Sequence, residues 1–337
     1  MDSSPASDSP FAAQPRPRTR DAAILSYSES ENLGDEIQSV AAEQFLPHAV
    51  ATLDRDHLRL DACGREVDAI FNGWFLLGDE WPPPDGVHPL LVSFYAPPQC
   101  LRVYDRRHLD WYRRHEPVGC RSTAVVESFD AIGVGAYFSG CLSLCLPVSR
   151  VERGPEVCVV DCDPHLLRRL VPVHILELAT FLSHVDRPEA RSVRRRVARR
   201  AQRLLRPRSP ALAWSMFDRY RRQRHAERMA RARALLTRYA QARLVITGRL
   251  HCFLPCLALG TPVLFLHSAG DAHRFAGLAQ LGRAYTDRDD RIALDWEDPD
   301  PNPGHHQRLA SSLAETCRTW ASAVERQVPR IARGEGG

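Results

Sequence analysis

The chain has 337 residues, 44% of them hydrophobic, and 45 lysine-plus-arginine against 41 acidic residues, all 45 being arginine because the sequence contains no lysine. That length suits two domains with a core each, and no window approaches the roughly 18 uninterrupted apolar residues of a membrane span. Ten cysteines are scattered through apolar runs and read as packed, reduced thiols; the C-x3-C pairs 141/145, 158/162 and 252/256 have no matching set of histidines, so no metal site is expected.

Pro5, Pro10, Pro15 and Pro17 stand among serines in residues 1–20. With no apolar stretch there, the segment reads as a disordered tail rather than an export signal, and a cytoplasmic location follows, with the inner face of the membrane kept open. Apolar strands and helical stretches then alternate: a strand at 23–26, a helix over about 35–45, strands near 68–71 and 90–93, helices around 106–115 and 123–129, and a strand at 135–138. This rhythm predicts a parallel sheet wrapped on both sides, forming a domain over 21–150. Residues 150–155 read as a link. A second α/β domain over 155–300 begins with predicted strands at 157–160 and 173–176 and continues to strands at 244–247 and 263–266. A last helix, about 306–326 within the tail segment 303–327, has no strand after it and is expected to pack back on the first domain.

Basicity is local. Residues 187–224 hold fourteen arginines against Glu189 and Asp218, so the rest of the chain is net acidic. Val193, Val197, Leu204 and Leu205 fall at helical spacing, interrupted at Pro207 and Pro210. A solvated helix face is the favoured reading; a surface for phosphates, anionic lipid or nucleic acid is the other. Sparse aromatic residues and the lack of a nucleic-acid motif argue against nucleic acid. Peripheral membrane contact stays open.

The densest chemistry lies between Arg243 and Leu266. Two short, β-rich apolar runs flank Gly248-Arg249-Leu250-His251, with a helix predicted between them that stops at Gly260 and Pro262. If that helix is capped near His251, Pro255 falls in its first turn, where a missing N–H costs nothing. A fixed cation and an imidazole then sit at the carboxyl edge of a parallel sheet beside a helix N-terminus, a place suited to a small anion. His267, His273 and Arg274 follow the next strand, as borders of such a site or as plain loop residues.

Four motifs in order, Asn32-Leu33-Gly34-Asp35-Glu36-Ile37-Gln38-Ser39, Val118-Gly119-Cys120-Arg121-Ser122, Tyr137-Phe138-Ser139-Gly140-Cys141-Leu142 and Thr247-Gly248-Arg249-Leu250-His251, resemble the polysaccharide pyruvyl transferase family over about residues 24–282. The resemblance implies an α/β fold of two Rossmann-like domains facing across a cleft, glycosyltransferase-B-like. It also implies transfer of a pyruvyl group from phosphoenolpyruvate to a sugar of a glycan or glycan precursor as a ketal, with no cofactor beyond that donor. The family's donor-contacting Arg-Leu-His maps onto Arg249, Leu250 and His251. Gly248 stands where many relatives carry serine.

The residues suit that chemistry. Phosphoenolpyruvate carries a carboxylate and a phosphate, and planar guanidinium groups bind both; Arg249 and Arg121 are the candidates, one from each domain. His251 is the expected acid for the enol carbon, and Asp35 the base for a sugar hydroxyl. Asp35 reads equally as a helix cap, Asn32 and Gly34 as a tight turn or an acceptor contact, and Arg121 as a surface partner of Glu127. Ser139 and Gly140 are expected in a cleft-lining turn, without a nucleophile elbow. Two other functions remain: a nucleotide-sugar-dependent glycosyltransferase of the same architecture, and a non-catalytic anion-binding or scaffold protein using the arginine-rich segment. Acceptor sugar, its linkage to lipid or nucleotide, and oligomeric state are left open by the sequence.

Overall fold

The computed structural model describes residues 20–46, 51–75, 78, 80–186 and 210–327; the tail 1–19 and the arginine-rich stretch 187–209 lie outside the described residues. The first sheet contains β1 (Asp21–Ser26), β2 (Ala51–Asp54), β3 (Val67–Phe71) and β4 (Val87–Leu91), all parallel, in the order β2-β1-β3-β4. A parallel bridge between Phe94 and Cys120 extends it to the pair β5 (Val118–Cys120) and β6 (Ala136–Phe138). The second sheet contains β7 (Val157–Val160), β8 (Thr180–Leu182), β9 (Leu244–Thr247), β10 (Val263–His267) and β11 (Arg283–Thr286), parallel throughout, in the order β11-β10-β9-β7-β8. Both sheets are Rossmann-like: the second strand lies outside the first and the third on its other side, so the chain reverses direction of growth between β1 and β3 and between β7 and β9.

The apolar runs are continuous because these strands are covered on both faces. Side chains alternate from face to face. Ile24, Ile70, Val92, Val160, Val245 and Phe265 enter one cluster shared by the two sheets. Leu25, Phe71, Phe94, Tyr112 and Phe129 line the far side of the first sheet, while Val159, Ile246, Leu264 and Ile175 line the far side of the second. Each fully buried aliphatic or aromatic side chain contributes about 1.5–3 kcal/mol relative to exposure.

Helices α1 (Leu33–Glu43), α2 (Leu58–Asp61), α3 (Pro98–Arg114) and α4 (Thr123–Asp130) belong to the first half. The second half carries α5 (Pro164–Leu170), α6 (Val173–Leu178), α7 (Pro210–Gln241) and α8 (Leu250–Leu259). The last helix, α9 (Gln307–Gln327), returns to the end of the first half: Leu309 lies over Gly140, and the Cys145 thiol approaches the Ala310 carbonyl at 3.4 Å. No helix among the described residues is long and apolar enough to cross a membrane.

Two expectations need correction. Residues 173–176 form α6, not a strand, because Pro172 fixes the φ of the residue before the first turn and only Ile175 of that turn is buried; the edge strand comes later, at β8. The described part of the arginine-rich stretch is a solvated face only in part. It begins α7, a 32-residue strut between the halves in which Arg219 and Arg222 stay exposed while other guanidiniums turn inward. Arg221 grips Asp54 at 2.8 Å and Asp61 at 2.6 Å, and Arg224 donates to the carbonyls of Ser28 and Ser30. Arg228, 1% exposed at its side chain, holds Glu36 through two bonds of 2.6 Å. Asp186 receives Arg228 and Arg231, and Arg238 reaches Glu156 in the second half.

Candidate active site

The two reversal points face each other. Their loops enclose a cavity of about 550 Å³, the size range of small-molecule sites. Asn32, Asp35, Trp74 and Arg121 enter it from the first half; Asp161, His184, Arg249, Leu250 and His251 enter from the second. The approach is close: a Cβ on Gly34 would lie 3.0 Å from both Cβ and Nδ1 of His251. Gly34 is therefore a point of contact between the halves, and it is not among the residues lining the cavity.

Arg121 follows β5 and is 5% exposed. Its backbone amide donates to the Phe94 carbonyl, and its guanidinium lies 4.3 Å from the centroid of the Tyr95 ring. Nη1 donates to Nε2 of His251 at 3.4 Å, and Nε meets no acceptor. Among the described residues no carboxylate pairs with it, Glu127 included. Burial pulls its pKa below the usual guanidinium value, yet a guanidinium keeps its charge in any protein setting. A desolvated cation without a counter-ion is costly to the fold and is a ready receptor for an anion.

Arg249 comes from the end of β9. Its Nε donates to Asp161 Oδ2 at 2.9 Å, which leaves the other nitrogens of a 40% exposed side chain for a ligand. Burial pushes the Asp161 carboxyl up, but the Ser183 hydroxyl, the His184 amide and Arg249 together hold it below its usual value. Asp161 adopts φ 43°, and a Cβ on Gly248 would come within 2.6 Å of its carbonyl oxygen. Glycine is thus demanded at the position where the resemblance leads to an expectation of serine.

α8 is capped at Arg249 rather than near His251 and begins at Leu250, so Pro255 is its sixth residue rather than part of the first turn. Lacking an N–H, Pro255 cannot bond the His251 carbonyl four residues back, and the backbone at His251 leaves helical values (φ −81°, ψ 17°). The kink sits at a histidine that lines the cavity. Gly260, at φ 79°, ends the helix as expected.

His251 is 8% exposed. Burial first, then Arg121, His184 and Arg249, push its pKa well below the ordinary imidazole value. With Nε2 accepting from Arg121, the network assigns the proton to Nδ1. The expected ready acid is corrected to a neutral ring at neutral pH, one that gains a proton only when negative charge is added beside it.

Asp35 lines the cavity and accepts from the Ser30 hydroxyl at 2.5 Å. It is not the helix cap. Asn32 fills that role, its Oδ1 accepting from the Gly34 amide at 3.1 Å. Ser139 and Gly140 depart from expectation. The Ser139 hydroxyl accepts from the Ser93 amide and donates to the Cys120 carbonyl, Gly140 (φ 73°) sits under Leu309, and neither lines the cavity. Their motif joins β6 to the last helix instead.

His267 and Arg274 border the cavity; His273 does not. Several lining residues escaped the sequence reading, Asp161, Trp74 and His184 among them. Asp161 ends β7 just as Arg249 follows β9, so the strand-end rule applied to the first strand of the second half finds it. Trp74 follows β3 by the same rule. For His184, whose Nε2 lies 2.8 Å from the Tyr239 hydroxyl, the sequence offers no signal. Among the described residues no group of three or more His, Cys, Asp or Glu side chains is arranged to hold a metal ion.

A sequence model of the polysaccharide pyruvyl transferase family matches residues 127–268. The matched stretch takes in the motifs around Ser139 and Arg249, while those around Asn32 and Arg121 precede it. No curated protein matches the chain.

Proposed function

From the match of residues 127–268 to the polysaccharide pyruvyl transferase family we propose that the chain is a transferase of that kind, one that moves a pyruvyl group from phosphoenolpyruvate to a sugar of a glycan or glycan precursor as a ketal. The observation that carries the reading is Arg121, a buried guanidinium with no carboxylate partner among the described residues, facing Arg249 and His251 across one cavity. Its charge calls for an anion, and the donor has two anionic groups. The two parallel sheets with facing reversal points are in keeping with a glycosyltransferase-B-like arrangement.

In this reading Arg121 and Arg249 hold the carboxylate and phosphate of the donor. Their negative charge lets His251 take up a proton and pass it to the methylene carbon, which leaves C2 cationic. A sugar hydroxyl adds to C2 and gives its proton to Asp35. The bond from C2 to the phosphate oxygen breaks, phosphate departs, and a second hydroxyl closes the ketal, its proton leaving with the phosphate. Leu250 and Asn32 shape the walls.

The test is incubation with phosphoenolpyruvate and a series of methyl glycosides and glycosyl phosphates. Release of phosphate with a mass gain fitting a pyruvyl ketal is expected. Turnover of a sugar nucleotide in the absence of phosphoenolpyruvate overturns the proposal in favour of glycosyl transfer. A protein whose cellular role survives Arg249→Ala and His251→Ala is a scaffold instead.

A further inference from the structure

The cavity extends well beyond the cluster of Arg121, His251 and Arg249, and its remaining wall contains Trp74 from the first half and the segment Ser268–Phe275 from the second. Trp74 is firmly mounted. Its carbonyl accepts from Arg55 Nη1 at 2.9 Å, its backbone bridges Tyr95, and its ring meets the Tyr95 ring edge-on with centroids 5.4 Å apart. Tyr95 in turn carries Arg121 on its ring. One tyrosine therefore sets the distance between the tryptophan and the buried cation.

What lies on Trp74 is weakly held. Arg274 reaches across from the second half, its guanidinium 5.5 Å from the indole centroid, and pairs with Asp271 at 3.2 Å. Both members of that ion pair are more than a third exposed, the kind of surface pair that contributes little. The indole N–H, shielded from solvent, meets no acceptor among the described residues. A rigid aromatic face, an unused donor and a displaceable cover on the rim of an anion site describe a receptor for a ring with one apolar face and a polar edge.

We propose that Trp74 is the platform for the acceptor: a pyranose ring stacks on the indole face that Arg274 now covers, with its hydroxyl edge toward Asp35 and Arg121, and Arg274 swings aside into solvent. This assignment rests on the pyruvyl-transfer reading, because it takes the cation end of the cavity for the donor. It makes Trp74 and Arg274 residues that select the acceptor without touching the donor.

Binding of methyl β-D-galactopyranoside, methyl α-D-mannopyranoside and methyl β-D-glucopyranoside is followed by saturation-transfer NMR, and binding of phosphoenolpyruvate by calorimetry on the same samples. Trp74→Ala is expected to weaken the best sugar by about tenfold, Trp74→Phe to keep most of its affinity, and Arg274→Ala to leave it equal or tighter, all with donor affinity preserved. Should Trp74→Ala fail to fold, as read by circular dichroism, the other two variants decide. Sugar affinity unchanged in Trp74→Ala, reduced by Arg274→Ala, or absent in the natural chain while phosphoenolpyruvate binds, overturns the platform. Sugar bound with no binding of phosphoenolpyruvate refutes the donor reading and leaves the platform standing.

Discussion

Replacing Arg121 by methionine separates a functional cation from a structural one, because the two roles predict opposite signs for stability. What the fold loses is small: one cation–π contact with Tyr95 at 4.3 Å, about 0.5–2 kcal/mol, and a long bond to His251 at 3.4 Å. What it gains is relief from a desolvated guanidinium with no carboxylate partner, a penalty of several kcal/mol per ion. Methionine fills similar space with apolar atoms. The net expectation is a gain of about 1–2 kcal/mol, a rise in Tm of about 1.5–3 °C for a chain of this size. Binding moves the other way. Loss of charge-assisted bonds to an oxyanion, about 1.5–3 kcal/mol each, lowers affinity for phosphoenolpyruvate by on the order of a hundredfold. His251, relieved of a neighbouring positive charge, titrates closer to its ordinary pKa, which NMR of the ring protons records. Calorimetric unfolding and donor titration on the same preparation give the answer. A variant destabilised by more than about 2 kcal/mol that still binds the donor normally shows Arg121 to be a structural cation, and the reasoning fails.

Three further outcomes are expected. Arg228→Ala strands Glu36 in the interior, leaves Asp186 without one of its guanidinium partners, and costs about 3–5 kcal/mol by denaturant unfolding; pairing Arg228→Met with Glu36→Gln recovers part of it, and a single-variant loss under about 1 kcal/mol argues against α7 as a strut. Donor binding takes up a proton at His251, since the pKa is depressed in the free protein and rises beside an anion; affinity therefore strengthens as pH falls between those two values. Titrations in buffers of different ionisation enthalpy count that proton, and an equal count in His251→Gln removes the histidine from the linkage. Gly248→Ser forces a Cβ against the Asp161 carbonyl, predicted at 2.6 Å, with a stability loss of about 1–3 kcal/mol and weaker donor binding through the displaced Arg249; a variant with both properties intact means the loop yields freely.

Where chemistry is local, the residues declare it. The strands at 244–247 and 263–266 are legible because burial on both faces leaves Thr247 as their one polar position, and Arg249 and His251 follow as residues at a strand end. The approach of Arg121 to His251 spans 130 positions, and no local pattern encodes it. Arginines of α7 misled for a related reason. Composition alone makes such a segment look solvated, yet Arg221 and Arg228 find Asp54, Asp61, Glu36 and Asp186, each an ordinary carboxylate in its own stretch. Val173 to Leu176 read as a strand from side-chain type, whereas Pro172 and one-sided burial select a helix. Ser139 and Gly140 belong to a real motif whose purpose is mechanical, a seat for the last helix.

The apolar cluster shared between the sheets has an evolutionary consequence. Because Ile24 and Ile70 pack in the same cluster as Val245 and Phe265, neither half is self-sufficient, and cutting the chain near residue 150 strips each fragment of one wall of its interior. Relatives of this chain cannot arise by exchanging whole halves as modules. Diversification is confined to the rim, where segments such as Ser268–Arg274 can change length and chemistry while the shared interior, which begins again at Phe275, stays as it is.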